Sequence, residues 1–244
     1  MLHIVCGLMI VIAFQQVTMK NGSAEFQFFD PDGETDRSAR NLPHWFQPGV
    51  VTFITFRTTD SLPRRAVAGI EHELKLWLLR HAPEADTQEG LPDLNQLPDS
   101  IRTQYARIKR RFWHGALDRS YGECVLRQPP LRQIVLQALL HFDGDRYDLA
   151  SAVVMPNHVH VLAQFRAPHS CRLQCRSWLI YTARQINARL GRTGPFWQSE
   201  PFDHLVRSED QFHYLERYIA ENGPKAGLAP HEYTWWRRHS DGRS

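Results

Sequence analysis

The chain has little with which to staple a fold and little with which to anchor itself in a membrane. Four cysteines (Cys6, Cys124, Cys171, Cys175) in 244 residues are too few for a disulfide framework, so a reducing cytoplasm is the expected setting. Cys171 and Cys175 have the spacing of half a zinc site, but no second ligand pair follows, and two free thiols are expected. The apolar run from Ile4 to Phe14 is well short of the roughly 20 residues that span a bilayer. No Lys or Arg precedes it, as a secretory signal would require. A large charge excess is missing too: 29 Lys and Arg stand against 26 Asp and Glu, a formal +3. That balance permits a nucleic-acid partner without demanding one. No internal repeat is visible.

What is present suits one core with additions, since 42% of residues are hydrophobic and 11% aromatic. The folded domain is expected over 41–230. Residues 1–40 read as an extension outside it, with Met1 not the biological start and Gly22 to Arg40 a polar linker carrying Asp30, Asp32, Glu34 and Asp36. Residues 83–100 read as an exposed acidic insertion, because three prolines and five acidic residues occur there without a basic one. Residues 231–244 read as a basic aromatic tail.

Val50 to Arg57 is β-branched and aromatic, a strand ended by Asp60-Ser-Leu-Pro63. Ala66 to Leu79 places Ile70, Leu74, Trp77 and Leu78 at helical spacing. A second helix from Ile101 to Trp113 bears Arg107, Lys109, Arg110 and Arg111, either a solvated face or a phosphate-contacting stripe. Pro130 to Phe142 reads as a helix. Tyr147 to Met155 and His158 to Phe165 read as a hairpin turning at Pro156-Asn157. A helix from Ser177 to Leu190 and a short strand from Phe202 to Val206 follow. Ser208 caps a last helix with Gln211 as its capping-box partner, and Gly223-Pro224 is expected to end it at Asn222. This order fits an α+β, ferredoxin-like sandwich: a four-stranded antiparallel sheet with helices on one face plus a C-terminal helix.

Two pairs of residues carry potential chemistry. His158 and His160 are two apart on a strand, so both imidazoles point to one face and can converge on a metal ion. An H-x-H pair alone is a weak signal. Tyr218 and Asn222 are four apart on the last helix, which stacks a phenol one turn from an amide oxygen. The alternative is an aromatic core residue and a C-cap asparagine. Tyr214 lies on the same face as Tyr218, and Tyr181 on the preceding helix, so helical spacing alone does not select a nucleophile. Trp197 reads first as core. Trp235, Trp236, Arg237 and Arg238 could stack unpaired bases and grip phosphates.

Val153-Val-Met-Pro-Asn-His-Val-His-Val-Leu162 resembles the HUH strand of REP-associated tyrosine transposases, which are single-tyrosine HUH enzymes. So do Ser177-Trp178, Tyr181-Thr-Ala-Arg-Gln-Ile-Asn187, Phe196-Trp-Gln198, Phe202-Asp-His204, and Tyr218-Ile-Ala-Glu-Asn222 followed by Lys225-Ala-Gly-Leu228. Val51-Thr-Phe53 to Asp60-Ser-Leu-Pro63 is similar to the family's first strand. The resemblance runs from about Asn41 to Leu228 in the family's order. It departs at Gly223, where the family has proline directly after the asparagine.

The resemblance implies a metal-dependent transposase that cleaves and rejoins single-stranded DNA beside a palindromic hairpin. Tyr218 would be the nucleophile, giving a 5′-phosphotyrosine and a free 3′-hydroxyl. His158, His160 and Asn222 would hold Mg²⁺ or Mn²⁺, with Mn²⁺ at least substituting because two imidazoles and an amide are a soft set for Mg²⁺. The implied partners are hairpin DNA and no membrane, acting as monomer or homodimer in the nucleoid. Alternatives are a rolling-circle initiator or relaxase nickase, a zinc hydrolase using His158 and His160, and a domesticated hairpin-binding protein without catalysis.

Overall fold

The structure is a computed structural model that describes residues 19–21, 24–39, 43–82 and 97–238. Its elements are β1 (Met19–Asn21), β2 (Ala24–Phe26), β3 (Asp36–Ala39), β4 (Pro43–Phe46), β5 (Val51–Arg57), α1 (Arg64–His81), α2 (Asp99–Asp118), α3 (Pro129–Leu140), β6 (Tyr147–Val154), β7 (His158–Phe165), α4 (Cys171–Leu190), β8 (Phe202–Leu205), α5 (Glu209–Lys225) and β9 (Thr234–Arg237).

β6 and β7 are buried along their whole length, which is why they read as nearly continuous apolar runs. They pair antiparallel, β5 pairs with β7, and β8 closes the far edge. The sheet has five strands in the order β8-β5-β7-β6-β9, one more than the four expected. The addition is β9, drawn from the segment read as a tail. It pairs Thr234 with Val154 and Arg237 with Ser151. The unsatisfied edge of β6 supplies the backbone partners.

Two cores sandwich the sheet. On one face Ile54, Phe56, Val154, Val159 and Val161 pack with Val135 and Leu139 of α3 and Trp178 and Ile186 of α4. On the other Val51, Phe53, Val153 and Leu162 pack under Phe212, Leu215 and Ile219 of α5. α1 and α2 form a third cluster around Leu74, Leu78, Tyr105 and Leu117. Trp197 is buried against Phe56, as expected.

Three boundaries differ from expectation. Residues 24–36 are not a linker. Phe26 is fully buried against Phe212, Gln27 bridges to Val50, and the Phe29 N–H donates to the Val206 carbonyl at 2.8 Å. Asp30, Asp32 and Glu34 sit around a turn, and the aromatic residues just before them supply the packing. Of the acidic insertion, residues 83–96 lie outside the described residues, as do residues 1–18. Leu97 is buried and Asp99 opens α2. α4 begins six residues before the expected Ser177, because the Ser170 hydroxyl caps it by accepting from the Leu173 N–H.

Candidate active site

The register of the sheet builds the site. Thr55 lies opposite His160, and Arg57 opposite His158. All four therefore share the face covered by α5, while Val159 and Val161 point into the opposite core. Both histidines are fully buried, and their ring centroids are 4.8 Å apart.

Each ring is held at Nδ1. Asn157 Nδ2 donates to the Tyr121 carbonyl at 2.9 Å, which turns Oδ1 toward His158 Nδ1 at 2.8 Å. An amide oxygen only accepts, so His158 Nδ1 carries the proton and Nε2 keeps the lone pair, the form a metal ligand needs. Thr55 Oγ1 lies 2.7 Å from His160 Nδ1 and holds the second ring in place at that atom. Neither Thr55 nor Asn157 stands out in the sequence. Strand register reveals the first, and the hairpin turn the second.

α5 brings the phenol to the histidines. Ser208 Oγ accepts from the Gln211 N–H, and Gln211 Oε1 accepts from the Arg207 N–H, so the helix start is satisfied from both sides. Tyr218 Oη stands 3.4 Å from His160 Nε2, and the two rings meet edge-on at 5.2 Å. Phe53 packs against His160, His204 and Tyr218 together.

The helix does not stop at Asn222. It runs through Gly223 and Pro224 to Lys225, because a proline in the last turn forfeits only the one bond its missing N–H would make. Asn222 is therefore a helical residue facing the sheet, 1% exposed. Its Oδ1 is buried with no hydrogen-bond partner among the described residues, a costly arrangement for an amide oxygen. Among the described residues no group of three or more His, Cys, Asp or Glu side chains could hold a metal ion. Two imidazoles, each held at Nδ1, and an unsatisfied amide oxygen are nonetheless donor types that fit a divalent cation.

Tyr214 is 59% exposed and Tyr181 52% exposed. Tyr181 lies on α4, the helix of the opposite face. Of the aromatic candidates on these helices, Tyr218 is the one packed beside the histidines.

A cavity of about 830 Å³ opens next to the site, lined by Thr55, Arg57, Phe202 and His204 of the sheet and by Lys109 and Trp113 of α2. Of the basic stripe on α2, Lys109 reaches this cavity, and Arg107 and Arg111 are exposed. The Arg110 side chain lies outside the described residues. Arg57 donates to Ser61 Oγ at 3.0 Å, and its guanidinium lies 5.8 Å from the Trp113 ring centroid. Burial lowers its pKa from the usual guanidinium value.

The C-terminal quartet is less available than its sequence implies. Trp236 packs on the α3–α4 core, and Arg237 pairs with the buried Glu216 of α5 at 3.2 Å. Arg238 is paired with Asp143 and donates to the Leu149 carbonyl. Trp235 is 45% exposed and donates to Ser151 Oγ at 3.3 Å. Trp235, Trp236 and Arg237 thus lie on β9 at the sheet edge, and the Arg237 and Arg238 guanidiniums are paired within the protein.

No family model and no curated protein matches the chain. Among solved structures, the chain is similar to a REP-associated tyrosine transposase bound to a REP hairpin. Identity is 16%, covering 78% of this chain and 76% of that one, with a TM-score of 0.41.

Proposed function

We propose that this chain is a single-tyrosine HUH transposase that cleaves and rejoins single-stranded DNA beside a hairpin. The observation that supports this most is that Tyr218 packs beside the buried pair His158 and His160, with the buried amide of Asn222 one helical turn further along the same helix. The ordered motif resemblance adds the reaction class. His158, His160 and Asn222 would hold Mg²⁺ or Mn²⁺, which when bound supplies positive charge to the phosphate as negative charge accumulates.

The chain's own residues do the rest. Tyr218 Oη forms a bond to phosphorus, the bond from phosphorus to the 3′-oxygen breaks, and that oxygen departs as a hydroxyl with a proton. The phenol proton leaves Oη to water in the same step; His160 Nε2, 3.4 Å away, would be committed to the ion, whose positive charge would ease the proton's loss. A free phenol has a pKa of about 10, so this activation is needed. The resulting phosphotyrosine retains the bond energy, and a second 3′-hydroxyl reverses the step without ATP.

The test is covalent trapping on a single-stranded oligonucleotide carrying a hairpin. Tyr218→Phe should abolish the protein–DNA adduct while hairpin binding persists, and Tyr214→Phe and Tyr181→Phe should retain the adduct. EDTA should abolish cleavage, and Mn²⁺ or Mg²⁺ should restore it. An adduct in the Tyr218→Phe protein would remove the assignment. Strand hydrolysis that survives Tyr218→Phe would favour a zinc hydrolase instead.

A further inference from the structure

Charge is distributed unevenly over this molecule. From Leu149 to Ser199 the chain contains no Asp or Glu, and α3 contains none either. α3 and α4 pack together on the sheet face opposite the candidate site, so one entire outer layer is built from two carboxylate-free helices.

α4 presents Arg172, Arg176 and Arg184 on its exposed side at four-residue intervals, with Ile180 completing the row and Arg189 beside its end. Twelve residues separate Arg172 from Arg184, about 18 Å of helix rise. Among the described residues none of these four arginines has an ion-pair partner, whereas Arg166, Arg192 and Arg237 each do. A solvated helix face ordinarily mixes signs, with i to i+4 pairs like Glu221–Lys225 on α5. The α4 face has no such mixture, and its four cations are all guanidinium forks suited to phosphate.

We infer that the outer face of α4 is a docking surface for the phosphate backbone of a nucleic-acid duplex. A convex row of cations with a single exposed aromatic, Tyr181, suits a duplex backbone. An unpaired strand calls instead for a groove lined with several stacking rings. The inference rests on the proposed function only in taking the duplex to be DNA. The stem would then lie against one helical layer while the unpaired strand passes round the sheet edge to Tyr218.

The experiment measures affinity of the full chain for a blunt DNA hairpin without single-stranded flanks, by fluorescence anisotropy across a salt series. The Arg176→Gln/Arg184→Gln protein should bind at least tenfold more weakly. Its slope of log affinity against log salt should be shallower by about 2, as expected for two lost phosphate contacts. Arg64→Gln/Arg65→Gln, an equal charge loss on the exposed start of α1, should leave the slope unchanged. Equal slopes for both double variants would overturn the inference, as would an unaltered protein that does not bind the hairpin. Binding to phosphatidylserine vesicles that is lost in the α4 variant, with hairpin affinity intact, would reassign the face to a membrane surface. Adduct formation on a short unpaired oligonucleotide should survive the α4 substitutions. An unaltered protein that binds the hairpin yet forms no adduct would sink the transposase reading and leave this surface standing.

Discussion

At the scale of single residues, the chemistry depends on which ring nitrogens face the phenol, and Thr55 and Asn157 decide that. Thr55→Val keeps the shape of the side chain and deletes the oxygen beside His160 Nδ1. Losing a partner of this kind costs 10–100-fold in metal affinity at established sites. Mn²⁺ binding measured by calorimetry should weaken by about tenfold, with the fold intact by circular dichroism. Unchanged Mn²⁺ affinity would show that the hydroxyl does not orient the ring. Asn222 makes a complementary case, because its Oδ1 is buried without a partner among the described residues. Saturating Mn²⁺ at about 100 times its Kd should stabilise the protein by about 2.7 kcal/mol. Thermal melts of Asn222→Ala should lose most of that increment. An Mn²⁺-induced shift of full size in Asn222→Ala would exclude the amide from the ligand set.

At the scale of elements, the end of α5 is locked by the segment that precedes β9. The Tyr233 ring packs directly on the Cα of Gly223, and a Cβ placed there would penetrate the ring. Arg132 of α3, only 4% exposed, donates to the His231 carbonyl at 2.7 Å and to Thr234 Oγ1 at 3.0 Å. It thereby grips the chain on both sides of Tyr233. Gly223 is thus where the aromatic ring needs bare backbone. Gly223→Ala gains about 1 kcal/mol of helix propensity but overpacks the ring, at about 1–3 kcal/mol. The net effect should be destabilising by urea denaturation. On a Tyr233→Ala background the clash is gone, and the same substitution should be neutral or stabilising by up to about 1 kcal/mol. Destabilisation of equal size in both backgrounds would show that the ring is not what Gly223 accommodates.

At the scale of the whole molecule, the domain extends further toward the N-terminus than its polar composition implies. Phe26, Gln27 and Phe29 fasten residues 24–36 across β5, β7 and the end of β8. A chain beginning at Asn41 loses the fully buried Phe26, and large aromatic deletions from a core cost about 3–5 kcal/mol. Its urea midpoint should fall markedly, and Phe26→Ala in the full chain should reproduce much of the loss. An unchanged midpoint in both would return the segment to the status of an extension. No helix of the described residues is long and apolar enough to cross a membrane.

The strands and helices that carry the histidines and the tyrosine were legible in the sequence because their signals are local. His158 and His160 alternate with buried valines at period two, and Tyr218 and Asn222 repeat at one helical turn. The family motifs made the same residues recognisable together. Long-range contacts were not legible. Nothing local distinguishes Phe26 in an acidic stretch from a linker residue. The strand character of Thr234 to Arg237 was likewise hidden, because an edge strand exists only when a neighbour such as β6 offers unpaired backbone. The motif that resembles the transposases, with Asn222 one turn beyond it, pointed to Tyr218 over Tyr214, and the tertiary structure adds a difference in burial. The two share a helix, but packing against Phe53 and His160 covers one and leaves the other in solvent. Local sequence thus determined which groups could do chemistry, through side-chain periodicity. Tertiary structure decided which of them meet, because burial and sheet register depend on residues far apart in the chain.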